Sequence, residues 1–304
     1  MNRLTCLSYA IILFAVTTIN ASPARNQRFP TAEIEEKTIE LANGAQLTYA
    51  EHGAKGGKTL ILLHGFTDSW HSFDRVITQF PQDIHVFAIS QRGHGNSFKP
   101  GGNLSLSDFA ADVAHFVKKL QLGPSIIAGH CLGGLVTQQF ALDYPELTQA
   151  IVIIDSEANL ADNAGMPEFL AEVKKLTEPV PYAFAEEFQK SSVHKSIGEE
   201  RMAFFISESM KVPAQVWVRV ADTILNSDLT SSVHSIRVPA LVLWGDQDSI
   251  CPLEDQNVFV ASLTDATFIS YKGIGHAPHW EDGSAFVRDV TAFIRRIDDP
   301  STRK

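Results

Sequence analysis

The chain has 304 residues, of which 44% are hydrophobic and 9% aromatic, a composition that excludes a disordered or fibrous protein and is ordinary for a soluble enzyme. Its 35 acidic residues outnumber its 25 basic residues and give a formal net charge of −10. We therefore expect no nucleic-acid partner, because binding along a phosphate backbone depends on positive charge, and we attribute the acidity to solubility.

The N-terminal segment has the pattern of an export signal. Arg3 precedes the uncharged, largely apolar stretch LTCLSYAIILFAVTTINA, and small residues stand at Ala21 and Ala24. We predict a signal peptide over residues 1–21, export to the periplasm or out of the cell, and no membrane association once the leader is removed. A membrane anchor is the alternative reading, but the apolar core is short for a span of ~20 residues.

The segments that follow predict one sheet. Two stretches alternate polar and apolar residues on either side of Asn43-Gly44, a hairpin dipeptide, and predict an antiparallel edge. Short apolar, β-branched runs then alternate with amphipathic segments: TLILLHG (59–65), HVFAISQ (85–91), SIIAGHC (125–131), AIVIIDS (150–156), ALVLWGD (240–246) and ATFISYK (266–272). Buried strands between helices predict a mostly parallel sheet with helices on both faces.

The helical segments include one long insertion. The stretch SLSDFAADVAHFVKKLQL has apolar residues at helical spacing, and we predict a helix capped by Ser107. Between residues 156 and 236 the only regular segments are helical: EFLAEVKKL, AFAEEFQKS, EERMAFFISESM and QVWVRVADTIL. We predict a helical lid over 156–236, inserted into a core domain of residues 22–155 and 237–304. Most of its large apolar side chains must pack, and a minority is expected to line a pocket.

The stretch GHCLGG (129–134) carries the candidate nucleophile. It follows a predicted strand, precedes a predicted helix and has the glycine spacing of a nucleophile elbow. Cys131 stands where most proteins with this pattern have serine, and Gly129 and Gly133 allow close backbone passage. A helix N-terminus and a neighbouring imidazole would both favour the thiolate of Cys131. An inert buried cysteine is the alternative.

Five motifs in this order resemble the α/β-hydrolase superfamily, specifically its branch with a single lidded domain. They are LLHGFTDSW (62–70), QRGHGNS (91–97), GHCLGG (129–134), LVLWGDQDSICP (241–252) and GIGHAPHWED (273–282). The resemblance covers nearly the whole mature chain and implies an α/β-hydrolase fold. GHCLGG also resembles dienelactone hydrolases and polyhydroxyalkanoate synthases, in which cysteine is the nucleophile, although the former lack this lid and the latter are longer. Ser90, where relatives often have aspartate, is a departure that affects the QRGHG turn.

The resemblance implies a histidine base and a carboxylate that orients it. His276, in the loop after the last predicted strand, is the expected base, and His279 is its nearest rival. Asp248, in the loop after ALVLWG, is the expected acid. Asp155, at the end of AIVIID, is the alternative acid, and Asp246 is expected to stabilise its own loop.

The HGF turn is expected to complete the site. Gly65 lets the backbone curl so that the N–H of Phe66, together with the N–H of Leu132, can point at a developing oxyanion. Phe66 and Trp70 are expected to flank the acyl side of the pocket. His130, beside the nucleophile, is expected to be structural and to reach the pocket rim.

A cysteine nucleophile restricts the class of substrate. A thiolate, whose conjugate acid has a pKa of ~8.5, leaves more easily than a simple alkoxide, so an unactivated alkyl ester tends to collapse back to substrate. We predict a hydrolase of carboxylic esters, lactones or thioesters that have activated leaving groups and an apolar or aromatic part, acting through an acyl-cysteine. This chemistry requires no cofactor and no metal. The alternatives are an acyltransferase using the same acyl-cysteine, a C–C bond hydrolase, and a non-catalytic binding protein derived from a hydrolase.

Two cysteines, Cys131 and Cys251, remain after removal of the leader, and an oxidising compartment favours a bridge where geometry allows one. We expect both to stay free. The predicted triad needs His276 between the nucleophile and the acid, and Pro252 restricts Cys251 to an extended backbone. Cys251 is then expected to pack as a small hydrophobic residue.

Overall fold

The structure of the protein is a computed structural model that describes residues 34–160 and 165–298. The predicted signal peptide of residues 1–21 lies outside the described residues, so its cleavage and the export of the chain stay predictions. Within the two described ranges, no helix combines the length and the apolar character that crossing a membrane requires.

An eight-stranded sheet forms the centre of the fold. Its strands are β1 Lys37–Glu40, β2 Gln46–His52, β3 Lys58–Leu63, β4 Ile84–Ser90, β5 Ser125–His130, β6 Thr148–Ile154, β7 Ala240–Gly245 and β8 Ala266–Tyr271. Their order across the sheet is β1-β2-β4-β3-β5-β6-β7-β8. Strand β2 runs antiparallel to both of its neighbours, and all the remaining neighbours are parallel. Gly44 has a φ of +81° in the turn between β1 and β2, which is the predicted hairpin.

Ten α-helices accompany the sheet in the described residues. They are α1 Asp74–Ile77, α2 Leu106–Lys119, α3 Leu132–Asp143, α4 Met166–Val173, α5 Tyr182–Ser191, α6 Glu199–Ser209, α7 Ala214–Leu225, α8 Leu253–Ser262, α9 Pro278–Glu281 and α10 Gly283–Asp298. Short 3-10 helices cover Trp70–Phe73, Pro145–Leu147 and Val233–Ser235. Helices α4 to α7 lie between β6 and β7, within the predicted lid, and each corresponds to one of its four helical segments.

The strand residues divide between two hydrophobic clusters because successive side chains point to opposite faces of a sheet. In β3, Ile61 and Leu63 belong to the cluster that includes residues of α2, α3 and the four insertion helices. Leu60 and Leu62 belong to the other cluster, with residues of α1 and α10. Helices therefore cover both faces of a mostly parallel sheet, and the predicted fold class is confirmed.

The N-cap of helix α2 lies two residues before the predicted cap, Ser107. The N-cap is Ser105, whose Oγ accepts a hydrogen bond from the N–H of Asp108 at 3.2 Å. The carboxylate of Asp108 in turn accepts from the N–H of Ser105 at 2.9 Å. This reciprocal capping box needs an acceptor three residues after the cap, which Ser105 has in Asp108. The prediction of Ser107 as the cap was therefore wrong.

Candidate active site

Cys131 lies in the sharp turn between β5 and α3, at the edge of the sheet where the parallel strands end. Its φ of +51° and ψ of −116° lie in a region that residues with side chains rarely occupy. The glycines of the motif are needed sterically, because a Cβ on Gly129 would approach the carbonyl oxygen of Gly133 to 1.9 Å. The N–H of Cys131 donates to the carbonyl oxygen of Ile154 at 3.1 Å. The backbone therefore fixes the thiol at the N-terminus of α3, where it is partly exposed.

The structure brings Asp248 and His276 together. Asp248 lies in the loop after β7 and His276 in the loop after β8, and Oδ2 of Asp248 is 2.8 Å from Nδ1 of His276. Both side chains are buried. Oδ1 of Asp248 accepts from the N–H groups of Ile250 at 2.7 Å and Cys251 at 3.1 Å. Because Asp248 holds Nδ1, Nε2 is the ring nitrogen that remains for chemistry.

Electrostatics favour an imidazolium–carboxylate pair. Burial lowers the pKa of His276, but the charges of Asp248 and Cys131 outweigh burial and raise this pKa well above its usual value. Burial raises the pKa of Asp248, but His276 and two backbone N–H groups outweigh it and lower the pKa. Both shifts place the proton on the imidazole and the negative charge on the carboxylate.

Asp155, the alternative acid, has another set of contacts. It is fully buried after the end of β6, has a φ of +40°, and its Oδ1 accepts from the N–H of Gly245 at 2.8 Å. Burial and the neighbouring charge of Asp248 raise the pKa of Asp155 well above its usual value, which favours the neutral form of this carboxyl. Asp246 accepts from the N–H of Gly273 at 2.5 Å, a contact that joins the two loops.

Two other histidines near the pair have structural contacts. Nε2 of His130 donates to the carbonyl oxygen of His276 at 2.8 Å, and burial lowers the pKa of His130 to about 3, so this ring stays neutral. His279 stacks on Phe73 with ring centroids 4.7 Å apart, and its Nε2 lies 3.0 Å from Oγ of Ser72. His279, the rival to His276, therefore packs against Phe73 and Ser72.

Of the two expected oxyanion donors, Phe66 lines the same cavity as Cys131 and Leu132 follows Cys131 directly in sequence. Phe66 follows β3, and Leu132 is the first residue of α3. Among the described residues, neither N–H donates a hydrogen bond to another protein atom. The next residue after Phe66, Thr67, has a φ of +68°, which is a rare conformation for a β-branched residue. The turn of residues 65–68, called the oxyanion turn below, therefore bends sharply at Thr67.

A cavity of about 200 Å³ opens onto Cys131 and His276. Its apolar walls come largely from the insertion and include Leu160, Met166, Phe169, Phe188, Ala221, Ile224 and Leu225. Phe66 and His130 also line it, as expected. Trp70 does not belong to the lining: its indole N–H donates to Glu36 at 2.6 Å and its ring stacks on His71. The expected acyl-side role of Trp70 was therefore wrong.

Two polar residues of the cavity, Asp68 and Gln189, had no role predicted from the sequence. Asp68 lies in the oxyanion turn and is 3% exposed, and Gln189 lies on α5 and is 1% exposed. Nε2 of Gln189 donates to Oδ1 of Asp68 at 2.8 Å. An acidic residue two positions after the HGF motif was a visible signal for Asp68. Gln189 offered none, because a glutamine on an amphipathic helix reads as a solvated residue.

Asp68 gives the protein a testable pH dependence. Burial raises the pKa of Asp68 from 3.8 to about 7, against hydrogen bonds from Gln189 and Ser72 that lower it. The folded protein therefore retains a proton that the unfolded chain loses, and this contribution to stability disappears as pH rises from about 4 to about 7. We expect the free energy of unfolding of Asp68→Asn, relative to that of the wild type, to increase by on the order of 4 kcal/mol across this pH window.

Urea unfolding of both proteins at several pH values measures this difference. Other titrating groups cancel, because they are common to the two proteins. A difference that stays constant with pH would show that Asp68 is ionised throughout the window in the folded protein.

Cys131 and Cys251 are both free thiols. Sγ of Cys251 is fully buried and donates to the carbonyl oxygen of Asp155 at 3.4 Å. In the described part of the chain, the one set of possible metal-ligand atoms within 4.8 Å of one another belongs to Asp248, Cys251 and His276. Since Asp248 and His276 already bind each other, a metal there would have to displace their hydrogen bond.

Comparison with known proteins gives consistent matches. The model of a family described as alpha/beta hydrolase fold matches residues 58–283. Lipase 1 of Psychrobacter immobilis is 26% identical over 257 residues, which cover 81% of this chain and 80% of the lipase.

Solved structures are also similar. A hydrolase from Pseudomonas aeruginosa PA01 has a TM-score of 0.79 at 23% identity, covering 87% of this chain and 99% of that one. An esterase from Exiguobacterium antarcticum has a TM-score of 0.77 at 16% identity, covering 86% of this chain and 100% of that one. At these identities the two structures support the fold alone.

Proposed function

Because the chain belongs to the alpha/beta hydrolase fold family, we propose that it hydrolyses carboxylic esters, lactones or thioesters through an acyl-cysteine on Cys131. One observation carries the proposal: the thiol is held at a strained strand-to-helix turn and opens, with the Asp248–His276 pair, into one apolar cavity. The name of the similar lipase supports ester bonds as the target.

Acylation would begin with the sulfur of Cys131 as the thiolate. The sulfur attacks the carbonyl carbon, a C–S bond forms, and the carbonyl oxygen becomes an oxyanion that the N–H groups of Phe66 and Leu132 stabilise. The C–O or C–S bond to the leaving group then breaks. The raised pKa of His276 suits it to deliver the proton from Nε2 to this group.

Deacylation would reverse the roles of the same groups. Nε2 of His276, now neutral, accepts a proton from a water molecule whose oxygen attacks the acyl carbon. The C–S bond breaks, the acid product leaves, and Cys131 returns to the thiolate beside a protonated His276. Asp248 keeps Nδ1 protonated throughout, so that Nε2 is the nitrogen that exchanges protons.

The substrate class follows from the sulfur and from the cavity. The tetrahedral intermediate expels a thiolate more easily than a simple alkoxide, so productive acylation of Cys131 needs a good leaving group. This favours enol esters, enol lactones, aryl esters and thioesters. Phe169, Phe188 and Ile224 give the cavity an apolar wall, which suits an acyl or leaving group with an apolar or aromatic part. We propose these activated compounds as the substrates. We also propose that the mature chain is exported and meets them in the periplasm or outside the cell.

A panel of activated esters, lactones and thioesters, assayed with and without added alcohol or amine acceptors, tests the proposal. We expect acid as the product, and mass spectrometry of a quenched reaction should find the acyl group on the peptide containing Cys131. Transfer to an added acceptor in place of hydrolysis would indicate an acyltransferase. Cleavage of diketones alone would indicate a C–C hydrolase, and no turnover of any compound would favour a binding protein.

The insertion should set substrate preference. Phe169→Ala enlarges the cavity, and we expect kcat/KM for an aromatic acyl ester to fall about tenfold relative to an acetyl ester, the usual effect of lost apolar contact in a pocket. Phe204→Ala is the matched control, because Phe204 lies on the insertion but contacts His71 and Arg201 outside the cavity. An unchanged ranking in Phe169→Ala would make the insertion a scaffold only.

A further inference from the structure

We propose that Gln189, on helix α5 of the insertion, is a positioning residue for the oxyanion turn. Its side-chain amide holds Thr67 and Asp68 in place and so fixes the direction of the preceding Phe66 N–H. The inference rests on the proposed function, in which that N–H stabilises the oxyanion.

The amide of Gln189 uses both of its protons in this contact. Nε2 donates to Oδ1 of Asp68 at 2.8 Å and to Oγ of Ser209 at 2.7 Å. Since the hydroxyl oxygen of Ser209 accepts from Gln189, its own proton is free to reach Oγ1 of Thr67, 2.8 Å away. A longer contact of 3.4 Å joins Nε2 directly to Thr67. Helices α5 and α6 thus reach the oxyanion turn through one connected network.

The network has almost no contact with bulk solvent. Thr67 and Ser209 have no exposed surface, and Gln189 is 1% exposed. A buried polar group that loses its hydrogen-bond partner cannot readily replace it, so each hydrogen bond constrains the position of the next. The network is therefore a rigid connection between the insertion and the core.

The turn needs such a connection because its backbone is strained. Thr67 is β-branched and has a φ of +68°, a conformation that persists only where the surroundings over-determine it. Within the turn itself, the one backbone hydrogen bond is the long contact of 3.3 Å from the N–H of Asp68 to the carbonyl oxygen of Gly65. His64 donates from Nδ1 to the carbonyl oxygen of Gly65 at 2.7 Å, and Ser72 donates from Oγ to Asp68 at 3.4 Å, but the side-chain hydrogen bonds of Thr67 itself come from α5 and α6. Without them Thr67 can relax and rotate the peptide that carries the Phe66 N–H.

The test is Gln189→Leu in the full chain, because leucine keeps the approximate volume and removes the donors. We expect kcat for a short-chain aryl acetate to fall about 10- to 100-fold, the scale of a misplaced oxyanion donor, with KM changed less than about threefold. Alkylation of Cys131 by iodoacetamide should change less than about threefold, because displacement of iodide develops no oxyanion. Gln215→Leu, an exposed glutamine on α7, is the matched control and should keep its kcat.

A second pair covers the case in which Gln189→Leu does not fold. Thr67→Val keeps the shape and loses the hydroxyl, so kcat should fall by a similar factor. Thr67→Ser keeps the hydroxyl, so it should recover most of that loss.

Three results would overturn the inference: an unchanged kcat in folded Gln189→Leu, a loss confined to KM, or equal losses in kcat and in alkylation. If alkylation of Cys131 leaves wild-type turnover intact, the proposed function fails, and the inference fails with it. If alkylation inactivates the wild type but Gln189→Leu keeps its kcat, only the inference fails.

Discussion

Replacing Cys131 by alanine will abolish turnover of every substrate that the wild type hydrolyses. Without the sulfur no acyl-enzyme can form, and removal of the nucleophile of such a triad costs on the order of 10⁶-fold in kcat. The backbone of the turn should survive, because alanine meets the same φ of +51° that cysteine does. We expect a cooperative unfolding transition close to that of the wild type and a turnover below detection.

Cys251→Ala is the control for this variant. Its thiol lies close to Asp248 and His276 but does not line the cavity, and alanine keeps the backbone N–H from which Asp248 accepts. Turnover should therefore stay within a few-fold of the wild type. Retention of activity in Cys131→Ala would assign the nucleophile to another residue. Loss of activity in both variants would point to a requirement for thiols in general and not to the elbow.

Asp248→Asn will lower kcat by about 10²- to 10⁴-fold, and Asp155→Asn by less than about tenfold. Asparagine at 248 can offer its NH2 group to Nδ1 of His276, which selects the tautomer that has its proton on the wrong nitrogen. Asparagine at 155 replaces a carboxyl whose neutral form is favoured by burial and by the charge of Asp248, so we expect little change of charge there. Its amide oxygen can still accept from the N–H of Gly245.

The pH dependence of the rate adds a second measurement to this comparison. The charge of Asp248 is what raises the pKa of His276 against the effect of burial, so this pKa should fall in Asp248→Asn. The corresponding limb of the kcat/KM profile should then move to lower pH. Equal or reversed effects of the two asparagine variants would move the acid to Asp155, at the end of β6.

The strands and the order of the motifs could be predicted because their signals are local. A run such as AIVIIDS is buried on both faces of a parallel sheet, and its composition alone indicates this. The signal for the helix cap was local too: Ser105 precedes α2, Ser107 lies in its first turn, and the acceptor at Asp108, three residues after Ser105, distinguishes them.

The network around the oxyanion turn could not be predicted from the sequence. Gln189 and Asp68 are 121 residues apart, and Thr67 and Ser209 are 142 apart. Thr67 and Asp68 lie in the LLHGFTDSW motif, but Gln189 and Ser209 belong to no motif, and their contact with the turn depends on how α5 and α6 pack over the end of the sheet. The prediction for Trp70 was wrong for the converse reason. Trp70 is close in sequence to the HGF motif, but this proximity does not determine which way its ring points.

The hydrogen bond from His130 to the carbonyl oxygen of His276 has a further consequence. It connects the side chain of His130, next to the nucleophile, to the backbone of His276. The spacing of these two loops therefore does not depend on whether residue 131 carries sulfur or oxygen. A cysteine codon becomes a serine codon by a single base change. A single mutation therefore places an oxygen nucleophile in the same surroundings. Natural selection can in this way change which leaving groups the protein prefers without rebuilding the fold.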